Sequence, residues 1–462
     1  MEAKTIAEIA EMASGTLFGA GSGLVKSVST DTRSIQPGQL FVALRGERFD
    51  GHDFLATALE QGAAAALVER LNRSLASLPQ IQVSDALIGL QTLAKNYRTE
   101  FCIPVIGITG SNGKTSTKEM VAAVLGARFS VVKTAGNLNN HIGVPISVLR
   151  FEKSAQVAVL EYGMNHAGEV SQLIGIVRPD HAVITNIGVA HIEYLGSRQA
   201  IAREKSILAE SVPSTGTVVL NAADDFAEWI AARCQGRVIR VGLKQGDIQV
   251  QGIKHRPDGE EFTLVAGSEE ARVYLPVPGE HMIINGLQAV GVGLAFGLSL
   301  AECAAGLAKT ALPSGRLQVK DLDAISIIND AYNANPDSMI AALKTVANLP
   351  VRGRRVAALG AMGELGSESL VGHQMVGKAV ADNGFDVLIA VGDAASPIAQ
   401  SAIAAGLARS RTVKTNAEAA DLLNTILEPG DLLLLKGSRS AAVDQIIPLL
   451  EQSRNPIKNS ST

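Results

Sequence analysis

Short apolar runs alternate with segments of helical periodicity along most of this chain. Past residue 100 the runs are VIGIT (105–109), QVAVLE (156–161), HAVITN (181–186) and TVVLN (217–221), with amphipathic stretches such as KEMVAAVL (118–125) between them. Such alternation predicts a mostly parallel sheet covered by helices. Beyond residue 312 the rhythm becomes regular: AISIIND, RRVAALG, DVLIAVG and DLLLLKGS each precede a helical pattern, the signature of a Rossmann-like, doubly wound domain. The first hundred residues differ. A strand-and-turn stretch, TRSIQPGQLFVALRGERFDGHDF, leads into the helical segments FLATALEQGAAAALV (54–68) and DALIGLQTLAKNY (85–97). Turn residues PSGR, Pro313 to Arg316, mark a second junction. The predicted fold class is α/β in three domains: residues 1–99, a central domain over 100–312 and a C-terminal domain over 313–462.

One stretch complicates that picture. Met282 to Ala301 carries no formal charge and is long enough to cross a bilayer, but Asn285, Gln288, Ser299 and four glycines argue for buried helix instead. Composition agrees: 462 residues, net charge −4, 47% hydrophobic and 4% aromatic residues describe a soluble enzyme without the basic excess of a nucleic-acid binder. The start, MEAKTIAEIAEM, has no apolar core behind a basic head, so a cytoplasmic location is expected, with no membrane span. Cys102, Cys234 and Cys303 are few and scattered, as reduced core thiols would be.

The chemistry concentrates in GITGSNGKTS, Gly107 to Ser116, between VIGIT and the helix that follows. A glycine-rich turn there points backbone N–H groups into one concavity ahead of a helix N-terminus, which suits nucleotide phosphates. Ile108, Thr109, Gly110, Ser111, Asn112, Gly113, Lys114 and Thr115 are the predicted cradle of a P-loop-type domain, with Lys114 reaching the β and γ phosphates and the Thr115 hydroxyl ligating Mg²⁺. The match to GxxxxGK[ST] is imperfect, since Ile108 stands five before Gly113. A plain glycine-rich turn is the competing reading, but it does not require Lys-Thr directly after the last glycine.

Polar residues also collect at predicted strand ends, where open parallel sheets bind ligands. Glu161 ends QVAVLE, Asn186 ends HAVITN with His191 shortly after, Asp330 ends AISIIND, and Lys436 closes DLLLLK. A carboxylate one crossover after a phosphate loop is placed to hold the metal that bridges phosphates, although a strand-end acid also serves as a helix cap. His191 reads either as a satisfied core or surface histidine or as a ligand for a second divalent ion.

TGSNGKTS, TAGNLNNHIGVP (134–145), LEYGMNHAGE and TNIGVAHIEYLGS together resemble the ATP-dependent Mur ligases of peptidoglycan synthesis. HMIINGLQAV, SGRL, NDAYNANPDSM, LGAMGELG and LKGSRS narrow the resemblance to the branch that adds D-alanyl-D-alanine to a UDP-N-acetylmuramoyl-tripeptide. One departure is Ala361, where that pattern leads one to expect an acid.

The resemblance implies an amide-forming reaction through an acyl phosphate, releasing ADP and phosphate; a monomer is expected, although no residue pattern fixes the oligomeric state. It assigns Lys114, Glu161, His191, Lys205 and Arg316 to catalysis; Thr115, Glu161, His191 and Lys205 to metal; and Asn285, Arg316 and Asp330 to ATP. Lys205 matches a position whose lysine takes up CO₂ as a carbamate, against the reading of a solvated helix charge beside Arg203 and Glu204. Asn285 reads equally as a core amide satisfied by backbone. Substrate contacts fall to Thr32 and Arg33 for the UDP-sugar, to Asn137 and Asn140 in the cleft, and to Tyr332, Asn333, Asn335, Lys436 and Arg439 near the dipeptide. The asparagines also suit left-handed turns, and Arg33 beside Asp31 suits an ordinary surface pair. If Lys114 and Asp330 both touch nucleotide, the site lies between two domains. Folylpolyglutamate synthetase shares the phosphate loop and the amide-forming logic and is the rival reading. A P-loop kinase or GTPase, and a ligase-derived binder without activity, are the others.

Overall fold

Every residue of Val105–Thr109 is buried in the computed structural model, which describes residues 1–454. A parallel strand of that kind belongs inside a sheet with helices on both faces. The sheet here has nine strands, from Glu269–Leu275 through Gly259–Ala266, Ile248–Arg256, Arg237–Val241, Thr217–Asn221, His181–Ile184, Val105–Thr109 and Val157–Glu161 to Val131–Lys133. Pairing is parallel from Val131–Lys133 as far as Ile248–Arg256, and the last two strands extend the sheet as an antiparallel meander. Val105–Thr109 has Val157–Glu161 on one side and His181–Ile184 on the other. The carboxyl ends of these three strands therefore border the switch-point crevice.

The C-terminal sheet has six strands in the order Gln318–Leu322, Ile325–Asn329, Leu432–Lys436, Arg355–Gly360, Val387–Val391 and Ser410–Val413, parallel except for the first pair. The N-terminal sheet has five: Thr16–Phe18, Gln80–Gln82, Ala65–Val68, Gln39–Val42 and Ser27–Ser29. Its helix Ala86–Arg98 faces the central part, where the buried Tyr97 hydroxyl donates to the Phe151 carbonyl at 2.7 Å.

Three local expectations change. The apolar segment 54–68 is helical only over Leu55–Glu60; Gly62, at φ +85°, turns the chain, and the four buried residues Ala65–Val68 become a strand. Burial against two neighbouring strands overrides alanine's helix propensity. HAVITN stops as a strand at Ile184, because Thr185 and Asn186 turn to the phosphate loop: Ser111 N–H donates to the Asn186 carbonyl at 2.9 Å. The uncharged stretch divides into helix Glu280–Ala295 and helix Leu300–Leu307 around Gly297, at φ +76°. Among the described residues no helix is long and apolar enough to cross a membrane.

Candidate active site

The phosphate loop has its shape because two of its residues are glycine. Gly110 sits at φ +149°, where a Cβ would lie 1.8 Å from Thr185 Oγ1, and Gly113 sits at φ +80° as N-cap of helix Lys114–Leu125. A Cβ on Gly113 would lie 2.7 Å from Asn285 Oδ1, so that the Asn285 amide rests directly against the loop. Gly110→Ala is therefore expected to cost about 3 kcal/mol in urea unfolding, through overpacking against the Thr185 side chain and the backbone nitrogen behind it. Ile108 and Thr109 are buried strand residues; the Thr109 hydroxyl donates to the Tyr162 carbonyl at 2.7 Å, and the two support the cradle rather than line it.

The loop opens into a cleft of about 960 Å³ between the central and C-terminal sheets, lined by Ser111, Asn112, Gly113, Lys114, Thr115, Asn137, Asn140, Glu161, His191, Asn285, Arg316, Asp330, Tyr332, Asn333, Asn335, Lys436 and Arg439. Lys114 folds back so that Nζ donates to the Gly110 carbonyl at 2.7 Å. Burial pulls its pKa below the ordinary lysine value, an effect that Glu161 opposes and Arg316 reinforces. Thr115 Oγ1 stands 3.3 Å from Glu161 Oε2, and Arg316 Nη2 donates to Thr115 Oγ1 at 3.0 Å from the far side of the cleft.

Glu161 is fully buried, and its Oε1 accepts no hydrogen bond, although Lys118 Nζ lies 3.4 Å away. Lys118 is itself fully buried, donating to the Thr134 carbonyl at 2.8 Å and pairing with Glu119 at 2.9 Å. Asn139 Nδ2 donates to Glu161 Oε2 at 3.2 Å. The Thr115 hydroxyl and the Glu161 carboxylate, whose Oε1 is orphaned, fit a hard divalent cation such as Mg²⁺. Among the described residues no three His, Cys, Asp or Glu side chains converge as a metal cage.

His191 lines the other wall, while Lys205 lies buried outside the lining, near enough for its charge to act on His191. His191 adopts φ +66° just before the short helix Ile192–Leu195, and its Nδ1 stands 2.6 Å from Glu364 Oε2. Burial lowers the imidazole pKa despite that carboxylate. Lys205, on helix Arg198–Glu210, is completely buried and its Nζ has no partner, which excludes the solvated helix charge. Burial, then the charge of Lys114, drives its pKa well below 10.5. With the folded-state pKa depressed, the unfolded chain binds a proton that the folded one resists; the cost is present below 10.5 and fades as pH rises toward it. In CO₂-free buffer, Lys205→Met is expected to stabilise the fold at pH 7 by about 1 kcal/mol or more and to flatten the rise in stability toward pH 10, read by thermal unfolding at several pH values.

The remaining predicted residues divide. Asp330 is engaged within its own domain: Oδ2 accepts from Lys436 Nζ at 2.6 Å and Oδ1 from the Leu317 N–H at 3.2 Å, and Lys436 also reaches the Asn333 carbonyl at 3.1 Å. Two guanidinium groups approach the Tyr332 ring, Arg316 at 4.2 Å and Arg439 at 5.9 Å from its centre. Asn335 caps helix Pro336–Asn348 and also donates from Nδ2 to Asn112 Oδ1 at 2.8 Å, across the cleft. Asn140 Oδ1 accepts from Gly143 N–H at 2.9 Å, a turn role compatible with lining the cleft. Thr32 and Arg33 lie outside this lining; Arg33 Nη2 is held 2.7 Å from Asp31 Oδ2 and is exposed. Sequence reasoning missed Lys118, Glu364 and Asn139. Lys118 alone left a signal, as a second lysine one turn after Lys114 on the helix that follows the loop.

A phosphate cradle at the switch point of a parallel sheet, faced by basic residues from a second sheet, defines a nucleotide-dependent enzyme of the P-loop-like α/β class. Comparisons with known proteins agree over almost the whole length. Residues 108–293 match the Mur ligase middle domain, 315–439 the Mur ligase glutamate ligase domain, and 24–98 the Mur ligase family catalytic domain. The UDP-N-acetylmuramoyl-tripeptide–D-alanyl-D-alanine ligase of Bacillus subtilis is 38% identical, over 97% of this chain and 99% of that one. A crystal structure of MurF from Acinetobacter baumannii superimposes with a TM-score of 0.89 at 33% identity, over 98% of this chain and 99% of that one. MurF ligase from Thermotoga maritima, solved in complex with ADP, gives 0.82 at 26% identity, over 94% and 98%. The folylpolyglutamate synthase of Mycobacterium tuberculosis shares the fold alone, at 20% identity, 79% of this chain, 93% of that one and a TM-score of 0.65. The chain belongs to the Mur ligase family.

Proposed function

We propose that this enzyme uses ATP to join D-alanyl-D-alanine to UDP-N-acetylmuramoyl-tripeptide. A carboxylate oxygen of the tripeptide attacks the γ-phosphorus and ADP departs, leaving an acyl phosphate. The dipeptide amine then attacks the acyl carbon, loses a proton, and phosphate leaves. No enzyme nucleophile is required, since positioning and charge neutralisation carry such a transfer.

The observation that carries this reading is the meeting of Lys114, which opens the helix after the loop, and Arg316, from the turn before the C-terminal sheet, around Thr115 and Glu161. Both reactants are anionic, so cations preorganised in a partly buried cleft are worth more than they would be in water. Thr115 and Glu161 would hold Mg²⁺, which when bound would offset charge on the phosphates. His191 would supply a ligand to a second ion. Lys205, as a buried neutral amine, suits addition of CO₂ with loss of one proton; as a carbamate its stem would present anionic oxygens beside His191. The residues 1–99 would receive the UDP-sugar, with Thr32 and Arg33 toward its diphosphate and Asn137 and Asn140 along the cleft. Tyr332, Asn333, Asn335, Lys436 and Arg439 would face the dipeptide, and Asn285 with Asp330 would meet the adenosine.

Phosphate release from ATP tests the assignment. It should require both the UDP-muramoyl-tripeptide and D-alanyl-D-alanine; release with folate and glutamate instead would contradict it.

A further inference from the structure

The loop that carries His191 is held from both sides of the cleft. From its own domain, Asp224 Oδ2 accepts the Ile187 N–H at 2.6 Å and Arg198 Nη2 donates to the Ile187 carbonyl at 2.9 Å. From the C-terminal domain, Asp337 Oδ2 accepts the Val189 N–H at 3.0 Å and sits so close that a Cβ on Gly188 would lie 2.2 Å from it. Glu364 approaches with its carboxylate 2.6 Å from His191 Nδ1, a close charge contact whose angle falls short of an aligned hydrogen bond and which a bound metal on the ring would draw into line. Both ends of that last contact are left-handed: His191 lies at φ +66° and Glu364 at φ +58°, conformations that non-glycine residues hold only where the surroundings impose them. Backbone strain on both partners of one interdomain contact is unneeded for docking two domains; it is what aiming a particular side chain would require.

We propose that Glu364 is a positioning residue for His191, with Asp337 as the second catch, so that the His191 half of the metal site is completed by the C-terminal domain. An imidazole ligand is commonly oriented by a carboxylate on its other nitrogen. Here that carboxylate belongs to a different domain, so metal binding at His191 and closure of the cleft favour one another. The inference rests on the reading of His191 as a metal ligand.

Mn²⁺ titrations followed by electron paramagnetic resonance, on the full chain with a non-hydrolysable ATP analogue, test it alongside small-angle scattering. Glu364→Ala is expected to weaken the His191-dependent Mn²⁺ by 10-fold or more, to enlarge the radius of gyration of the analogue complex, and to leave the other Mn²⁺ unchanged. Glu364→Gln, which keeps an oxygen at the contact, should recover part of the affinity. Asp337→Asn should act in the same direction, more weakly. If His191→Ala loses the Mn²⁺ while Glu364→Ala binds it as tightly as the unmodified chain, the positioning role is overturned and the ligand reading survives. If His191→Ala also keeps it, the ligand reading falls, and the proposal with it.

Discussion

Lys114→Ala should lower kcat/KM for peptide joining by at least about 10³-fold, the scale on which a preorganised cation or donor supports charge developing during phosphoryl or acyl transfer. The folded state should scarcely notice. Lys114 Nζ bonds only to the Gly110 carbonyl of its own loop, and burial already works against its charge, so removing it relieves a desolvation cost as it removes one hydrogen bond. Steady-state kinetics and a urea melt on the same preparation separate the two effects. Full-speed joining by this variant would remove the basis for placing phosphates in the cradle.

Glu161→Gln should damage both chemistry and stability. The glutamine keeps an oxygen near Thr115 but cannot neutralise a cation, so Mn²⁺ affinity at the Thr115 site should fall by 10-fold or more, together with turnover. It also leaves the Lys118 ammonium, wholly buried and 3.4 Å from Glu161 Oε1, with Glu119 as its remaining acidic partner. Breaking one side of a buried ion pair costs about 3 kcal/mol or more, read from urea unfolding. Adding Lys118→Met should restore most of that stability and none of the activity, because a methionine fills the space without a charge to satisfy. A double variant no more stable than Glu161→Gln alone would mean that the pair is not the source of the loss.

The parts of this molecule that were legible in the sequence are those with a strong local signature. Fully buried parallel strands are continuous apolar runs, and so VIGIT, QVAVLE and DLLLLK announce themselves. The antiparallel strands Ile248–Arg256, Gly259–Ala266 and Glu269–Leu275 are rich in charge and exposed on one face, and a search for apolar runs passes over them. Ala65–Val68 was hidden differently, since four alanines beside a helix read as more helix until the neighbouring strands claim the segment.

In the site, Lys114 and Thr115 followed from the spacing of one loop and Glu161 from the end of an apolar run, although the short strand Val131–Lys133 makes the path to Glu161 two crossovers where one was expected. Glu364 could not, since what makes it notable is a 2.6 Å approach to His191 across 173 residues of chain, a relation that only the docking of two domains creates. Lys205 lay between these cases. Its position came from family resemblance, while its complete burial beside another lysine is a tertiary fact. Ala361, where an acid was expected, packs against the core, and the neighbouring Glu364 supplies the carboxylate that reaches the cleft.

The central claim is that the tripeptide carboxylate itself becomes phosphorylated. Supplying UDP-muramoyl-tripeptide labelled with ¹⁸O in its reacting carboxylate, and analysing the released phosphate by mass spectrometry, tests it directly. One labelled oxygen should pass to each phosphate formed. Phosphate bearing no label while the amide is still made would contradict the account.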